Sequence, residues 1–215
     1  MTSSADFWES RYAERDQIWS GNPNRALVSA ISGLPPGEAL DLGCGEGGDS
    51  VWLAEQGWRV TAVDVSATAV ARGRELATRR GVPEGQITWL VEDLSSWEPA
   101  TRFDLVSACF LHSPIAFPRA EVIRRCASAV APGGHLLVVG HASPMPWTSP
   151  RFAPQPDSEH RFLGPTEQIA ELDLDTAEWD VEVSELQPRR ATGPDGQSVD
   201  IDDAIVLARR RAAGR

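Results

Sequence analysis

Glu38-Ala-Leu-Asp-Leu-Gly-Cys-Gly-Glu-Gly-Gly-Asp49 is the stretch that decides how this chain folds. Ala39 to Leu42 has the length and apolar content of a short buried strand. The glycines that follow make a tight turn, and Ser50 to Gln56 continues as a helix that stops at Gly57. Gly43, Gly45 and Gly48 satisfy G-x-G-x-x-G, the spacing of a nucleotide-cofactor cradle. That spacing alone does not choose the cofactor, but charge helps. A pyrophosphate seeks backbone N–H groups and the positive end of a helix. Asp41, Glu46 and Asp49 ring this turn with carboxylates, which repel phosphate and suit a ligand whose reactive end is cationic.

S-adenosylmethionine is such a ligand, with a sulfonium, an ammonium and no phosphate. Ala39 to Gly47, followed by Val60-Thr-Ala-Val-Asp-Val-Ser66, resembles the first two motifs of the class I S-adenosylmethionine-dependent methyltransferases. Val91-Glu-Asp-Leu94, Phe103-Asp-Leu-Val-Ser107 and Ala131-Pro-Gly-Gly-His-Leu-Leu-Val138 resemble that family's later blocks, in the same order. The resemblance runs from Gly37 to Gly140 and reaches the C-terminal third only in outline. It implies an α/β, Rossmann-like, seven-stranded and mostly parallel sheet whose last strand is antiparallel, with helices on both faces and an N-terminal helical lid. The turn Trp19-Ser-Gly-Asn-Pro-Asn24 and the short N-terminal helices look similar to those of thiopurine and tellurite-resistance methyltransferases.

Alternating strand and helix signals extend outward from the glycine turn. Strands are expected at Trp58–Val63, Gln86–Val91, Phe103–Cys109 and His135–Gly140. Ser66 is an N-cap for a helix over Ala67–Arg80 that stops at Gly81, and Arg119–Val130 is a further helix. The segment from His141 to Pro165 holds six of the sixteen prolines and reads as a long irregular loop capping a site. A short helix at Thr166–Leu174 precedes two antiparallel strands, Trp179–Gln187 and Val199–Ala208, joined through the turn Gly193-Pro-Asp-Gly196. At the other end, a helix over Ala5–Arg15 puts Trp8 and Tyr12 on one face, and Asn24 can cap a helix through Ile31. The reading is one methyltransferase domain: lid 1–33, cofactor core 37–140, lid loop 141–165, C-terminal helix and strands 166–208, and a solvated basic tail 209–215.

Ligands of such sheets bind beyond the carboxyl ends of the parallel strands, where the strand order reverses. That rule selects Asp41 to Gly47, Asp64, Asp93 and Cys109 to His112. Asp64 can accept hydrogen bonds from both ribose hydroxyls, a role that NAD proteins share. Gly43, Gly45 and Gly47 let the backbone approach the methionine part of the cofactor, and Asp41 would face its ammonium. By resemblance, Asp93 receives the adenine amino group, and Leu94 offers a backbone N–H and an apolar surface to the ring. The lesser reading of Asp93 is a helix or turn cap beside Ser95 and Ser96. Cys44, Val65 and Cys109 complete the cofactor-contacting set, with Cys44 a small packing residue rather than a nucleophile, since nothing near it supplies a base or cation.

Methyl transfer from a sulfonium is an in-line displacement that needs no metal and no covalent intermediate, so the protein contributes mainly alignment. A base is needed only if the acceptor arrives protonated. His112 and His141 are the catalytic candidates. The first could instead be a loop histidine before Pro114, and the second an anchor for the proline-rich loop. Trp8, Tyr12, Trp19, Asn22, Phe110, His112 and Trp147 are the candidate acceptor-contacting residues. Aromatic lid residues favour an apolar or soft acceptor such as an aromatic hydroxyl, an amine or a thiol; simple packing of lid on sheet is the other reading.

The 215 residues suffice for one domain with a sizeable core, and the net charge of −11 argues against nucleic acid or an anionic membrane as partner. Three cysteines without C-x-x-C spacing, and no apolar run long enough for a membrane span, fit a cytoplasmic protein. The expected partner is a small-molecule methyl acceptor, and the expected state a monomer or homodimer. Two alternatives share the glycine turn. An NAD-dependent oxidoreductase is opposed by Asp41 and by the lack of any lysine for a Tyr-x-x-x-Lys pair. A catalytically inactive cofactor-binding protein would keep the same turn.

Overall fold

A computed structural model describes residues 3–144, 161–192 and 196–212. The glycine-flanked apolar runs become strands because both their faces are covered, as parallel sheets require. In chain order these are β1 (Glu38–Leu42), β2 (Arg59–Asp64), β3 (Ile87–Val91), β4 (Phe103–Cys109), β5 (Val130–His141), β6 (Trp179–Thr192) and β7 (Ser198–Arg210). They form one seven-stranded sheet in the order β3-β2-β1-β4-β5-β7-β6. β1 to β5 pair in parallel, and β7 enters antiparallel to both β5 and β6. The strand order therefore reverses between β1 and β4, which fixes where a ligand crevice opens.

The helices are α1 (Ser4–Ala13), α2 (Arg25–Ile31), α3 (Gly48–Glu55), α4 (Ala67–Arg79), α5 (Arg119–Ala127) and α6 (Pro165–Leu172). Period-two alternation sorts each strand between two cores. Ala39, Val60, Ala62, Leu105 and Leu137 pack with Leu27 and Ile31 of α2 and Val51 and Leu53 of α3. Leu40, Leu42, Val63, Val106, Leu136 and Val138 pack with Val122, Ile123 and Cys126 of α5 and Leu172 of α6. Leu136 to Val139 are wholly buried, and each such side chain contributes about 1.5–3 kcal/mol.

Several boundaries differ from the sequence reading for local physical reasons. β5 starts at Val130, not His135, because Phe103 pairs with Val130 before Ala131–Gly134 loop out and Leu105 resumes with His135. α5 accordingly ends at Ala127. Arg209 and Arg210 belong to β7 rather than to a frayed tail. Arg210 donates to the carbonyls of Ser128 and Val130, and Arg211 pairs with Asp180 at 2.6 Å, so the expected solvated end is tied down. Ser66 caps α4 as expected, accepting from the Ala69 N–H at 3.1 Å. Asn24 does not cap α2 with its side chain; its amide is drawn to Asp49 instead. Most of the proline-rich loop, with Trp147 and His160, and Gly193–Asp195 lie outside the described residues.

Candidate active site

The turn after β1 is built on the end of β2. The Gly43 and Cys44 N–H groups both donate to the Val63 carbonyl, and the Gly45 N–H donates to Asp64 Oδ2 at 2.9 Å. Gly43, Gly45 and Gly47 all have left-handed φ values, of 71°, 53° and 82°, a conformation that only glycine adopts without cost. The second Asp64 oxygen accepts the Ser66 N–H at 2.9 Å. Asp64 is thus a buried carboxylate held by the backbone N–H groups of Gly45, Val65 and Ser66, with acceptor capacity left for a ligand hydroxyl. Burial raises its pKa, opposed by those backbone bonds.

The other acids of the turn are disposed otherwise than the sequence suggests. Glu46 accepts the Ile18 and Trp19 N–H groups and pairs with Arg72 at 2.9 Å. Asp49 accepts the Asn24 N–H at 2.6 Å and its side-chain amide at 2.7 Å. Both carboxylates therefore dock the N-terminal segment rather than rim a cationic ligand. Glu9 of α1 completes the docking: it binds the Ser66 and Thr68 hydroxyls, and these bonds lower its pKa. Asp41, only 2% exposed, accepts Ser50 Oγ at 2.5 Å and Ser107 Oγ at 3.4 Å. Burial, then the charge of Asp49, pushes its pKa up to about 7. Cys44 and Cys109 are pushed upward by burial, so neither forms a thiolate readily.

Beyond β4 the chain turns at Phe110, which takes a positive φ of 52°. For a bulky residue that conformation costs about 1–3 kcal/mol and marks a held site. It sets the Phe110 ring 4.4 Å from the His141 ring, and His112 lies 5.8 Å from His141. The two sequence-nominated histidines are therefore brought together. His141 Nδ1 is 3.2 Å from Asp203 Oδ1, and Asp203 Oδ2 accepts Arg189 Nε at 2.5 Å. The Arg189 guanidinium also stands over the Phe110 ring, 5.8 Å from its centre. Asp203, Arg189 and the buried Gln168 were missed from sequence. The available signal was the acid pair Asp202-Asp203 leading into the apolar run Ala204–Ala208.

Three side chains cover the glycine turn. A Cβ placed on Gly43 would lie 2.6 Å from Leu111, and one on Gly45 would lie 3.0 Å from Tyr12 Oη and 3.4 Å from Trp19 Nε1. Trp19 Nε1 donates to Tyr12 Oη at 3.0 Å, and burial pushes the Tyr12 phenol up. The open side of Gly47 faces Trp89 instead, which makes that glycine a packing requirement. Trp8 is half-buried against Tyr12, whereas Asn22 points to solvent. Asp93 accepts both the N–H and the hydroxyl of Ser95, the turn-cap arrangement, and Leu94 packs into the α5 core. Val65 and Cys109 are half-buried at the ends of β2 and β4. A cleft of about 490 Å³ lies at the opposite sheet edge, lined by Pro36, Trp58, Asp104 and the His135–Glu182 pair. It is remote from every strand end that the topology nominates.

A glycine turn latched to an acid-ended second strand, at the switch point of a 3-2-1-4-5-7-6 sheet, defines a methyltransferase-like Rossmann protein. Residues 39–134 match the family described as Methyltransferase domain. A probable thiol methyltransferase 2 of Arabidopsis thaliana is 30% identical over 142 residues, which make up 64% of this chain and 62% of that protein. Among solved structures, one described as "Conversion of a Disulfide Bond into a Thioacetal Group during Echinomycin Biosynthesis" superposes with a TM-score of 0.68. It is 25% identical and covers 100% of this chain and 94% of its own. The N-methyltransferase NodS of Bradyrhizobium japonicum WM9, bound to S-adenosyl-L-homocysteine, shares the fold at a TM-score of 0.65, with 18% identity and 97% and 99% of the two chains covered. The chain spans less than two thirds of the length of the curated relatives it matches. Residues 39–134 thus resemble a methyltransferase domain, set in a fold that is shared with NodS.

Proposed function

We propose that this protein methylates a small-molecule acceptor with S-adenosylmethionine, and that the crevice between β1 and β4 is where it does so. The observation that carries this reading is the latch between Gly45 and Asp64, which leaves a buried, hydroxyl-ready carboxylate beside a backbone cradle. When bound, the cofactor supplies a methyl group already activated on a sulfonium. The chain's residues then hold and align. Asp64 would take the ribose hydroxyls, with Val65 beside it, and the Gly43–Gly45 backbone would approach the methionyl part. Asp41 stands one layer behind, on Ser50, and would act on the ammonium through that layer. Tyr12, Trp19 and Leu111 must swing from the glycines and would then cover the ligand and exclude water. Asp93 and Leu94 would meet the adenine by their backbone and free oxygen.

Phe110, His112 and His141 would form the acceptor side, in reach of Cys109 at the end of β4. A half-aromatic wall with two histidines suits a soft or aromatic acceptor, and the likeness to a thiol methyltransferase favours sulfur. The charge of −11 supports a small molecule over a nucleic acid, in a cytoplasmic monomer or homodimer. The test is thermal unfolding with S-adenosylhomocysteine, followed by a methyl-transfer screen over thiols, phenols and amines. At a hundred times its Kd, the ligand should add roughly 2.7 kcal/mol of stability. Asp64→Ala should abolish that gain. An undiminished gain in Asp64→Ala, or binding of NADH in place of S-adenosylhomocysteine, would contradict the reading.

A further inference from the structure

We propose that Asp203 is a positioning residue that makes His141 the proton acceptor of the reaction. The acceptor is thereby restricted to a group that loses a proton as it is methylated, a thiol or a phenol. The inference rests on the methyltransferase reading above. Asp203 is 3% exposed and stands directly across the β5–β7 ladder from His141. Its carboxylate is divided between two partners, with Oδ1 at 3.2 Å from His141 Nδ1 and Oδ2 on Arg189 Nε at 2.5 Å. A carboxylate only accepts, so a neutral His141 must carry its proton on Nδ1 and leave the Nε2 lone pair free. Arg189 supplies the counter-charge without which so buried an anion would be costly.

Nothing in the packing of β7 asks for this trio. Ala204 to Ala208 continue the strand as apolar residues, and an apolar pair would serve the sheet at least as well. His141 faces Asp203 from β7 and Phe110 and His112 from the β4 loop, and Arg189 from β6 meets Asp203 and Phe110 in turn. All lie at the carboxyl edge beside the crevice. In the reaction, His141 Nε2 takes the S–H or O–H proton, and the freed electron pair bonds the methyl carbon. The carbon–sulfonium bond breaks with its electrons going to sulfur, and the imidazolium, balanced by Asp203, later releases its proton to water.

The variant Asp203→Asn tests this. Arg189 Nε can only donate, so it claims the single amide oxygen and turns the amide N–H₂ toward His141 Nδ1. Ring-¹⁵N spectra of neutral His141 should then show the proton on Nδ1 in wild type and on Nε2 in Asp203→Asn. In Arg189→Leu/Asp203→Asn the amide is free to turn back, and the Nδ1–H form should return. Methylation of weakly acidic thiols and phenols should fall at least about 10²-fold in Asp203→Asn and partly recover in the double variant. Acceptors already ionised at the assay pH should be little affected. An unchanged tautomer, or equal losses on ionised and neutral acceptors, overturns the inference while the S-adenosylhomocysteine thermal shift still reports an intact fold and cofactor site. No methyl transfer to any acceptor by wild type would instead overturn the underlying reading, and this inference with it.

Discussion

Asp41 carries a cost that pH can expose. Its folded pKa of about 7 is set first by burial and then by the nearby Asp49 charge, against about 3.9 in an unfolded chain. Below about pH 4 the carboxyl is protonated in both states and costs nothing. Between about pH 4 and 7 the unfolded chain gives up the proton while the folded protein keeps it, so stability falls as pH rises. Above 7 the full penalty applies. Asp41→Asn, which keeps the Ser50 and Ser107 contacts, should therefore be more stable than wild type at pH 8, by up to about 4 kcal/mol. Denaturant unfolding from pH 4 to 8 checks this, with the gap closing toward pH 4; a gap independent of pH would contradict it. The neighbouring acids show what sequence conceals at this scale. That Asp41, Glu46 and Asp49 crowd the glycine turn is legible from residue types alone. Which way each turns is not, because the partners of Glu46 and Asp49 are backbone N–H groups of Ile18, Trp19 and Asn24, some 25 to 28 residues away.

Among the elements, α4 shows how packing overrides local preference. Gly73 lies inside that helix, where alanine is intrinsically better by about 1 kcal/mol. Yet a Cβ there would stand 2.6 Å from Trp89, whose same ring edge is also packed against Gly47. Overpacking of this kind costs about 1–3 kcal/mol, so the contact should win. Gly73→Ala is expected to lower Tm by about 2–6 °C, and a raised Tm would show that the Trp89 ring moves freely. The elements themselves were legible because period and punctuation agreed. Ser66 both starts and caps α4, and the apolar runs of β1 and β2 end at Gly43 and Asp64. Their ends were less legible. Ala131-Pro-Gly-Gly134 reads as a turn before a strand, but Val130 is already paired with Phe103. Arg209–Arg211 reads as a solvated tail, but carbonyls at Ser128 and Val130 and carboxylates at Glu178 and Asp180 hold it.

For the whole molecule, the sheet has a cleft at its amino edge and a covered switch point at its carboxyl edge, and the account depends on which of the two takes the ligand. The amino edge is open, with the His135–Glu182 pair exposed to it. The carboxyl edge is filled by the chain's own Tyr12, Trp19 and Leu111, anchored through Glu9, Glu46 and Asp49. The fold was readable because successive motifs of one parallel sheet follow in order along the chain. The acceptor side was only half readable, since Asp203 and Arg189 reach His141 from strands more than 45 residues downstream, through pairing that no local pattern records. The most direct measurement is an amide ¹H–¹⁵N chemical-shift map during titration with S-adenosylhomocysteine. The account predicts the largest changes at Gly43–Gly47, Asp64–Ser66 and Cys109–His112, with Tyr12 and Trp19 following as the lid moves. Changes confined to Leu34–Gly37, Trp58 and Gly133–His135, or none at saturating ligand, would contradict it.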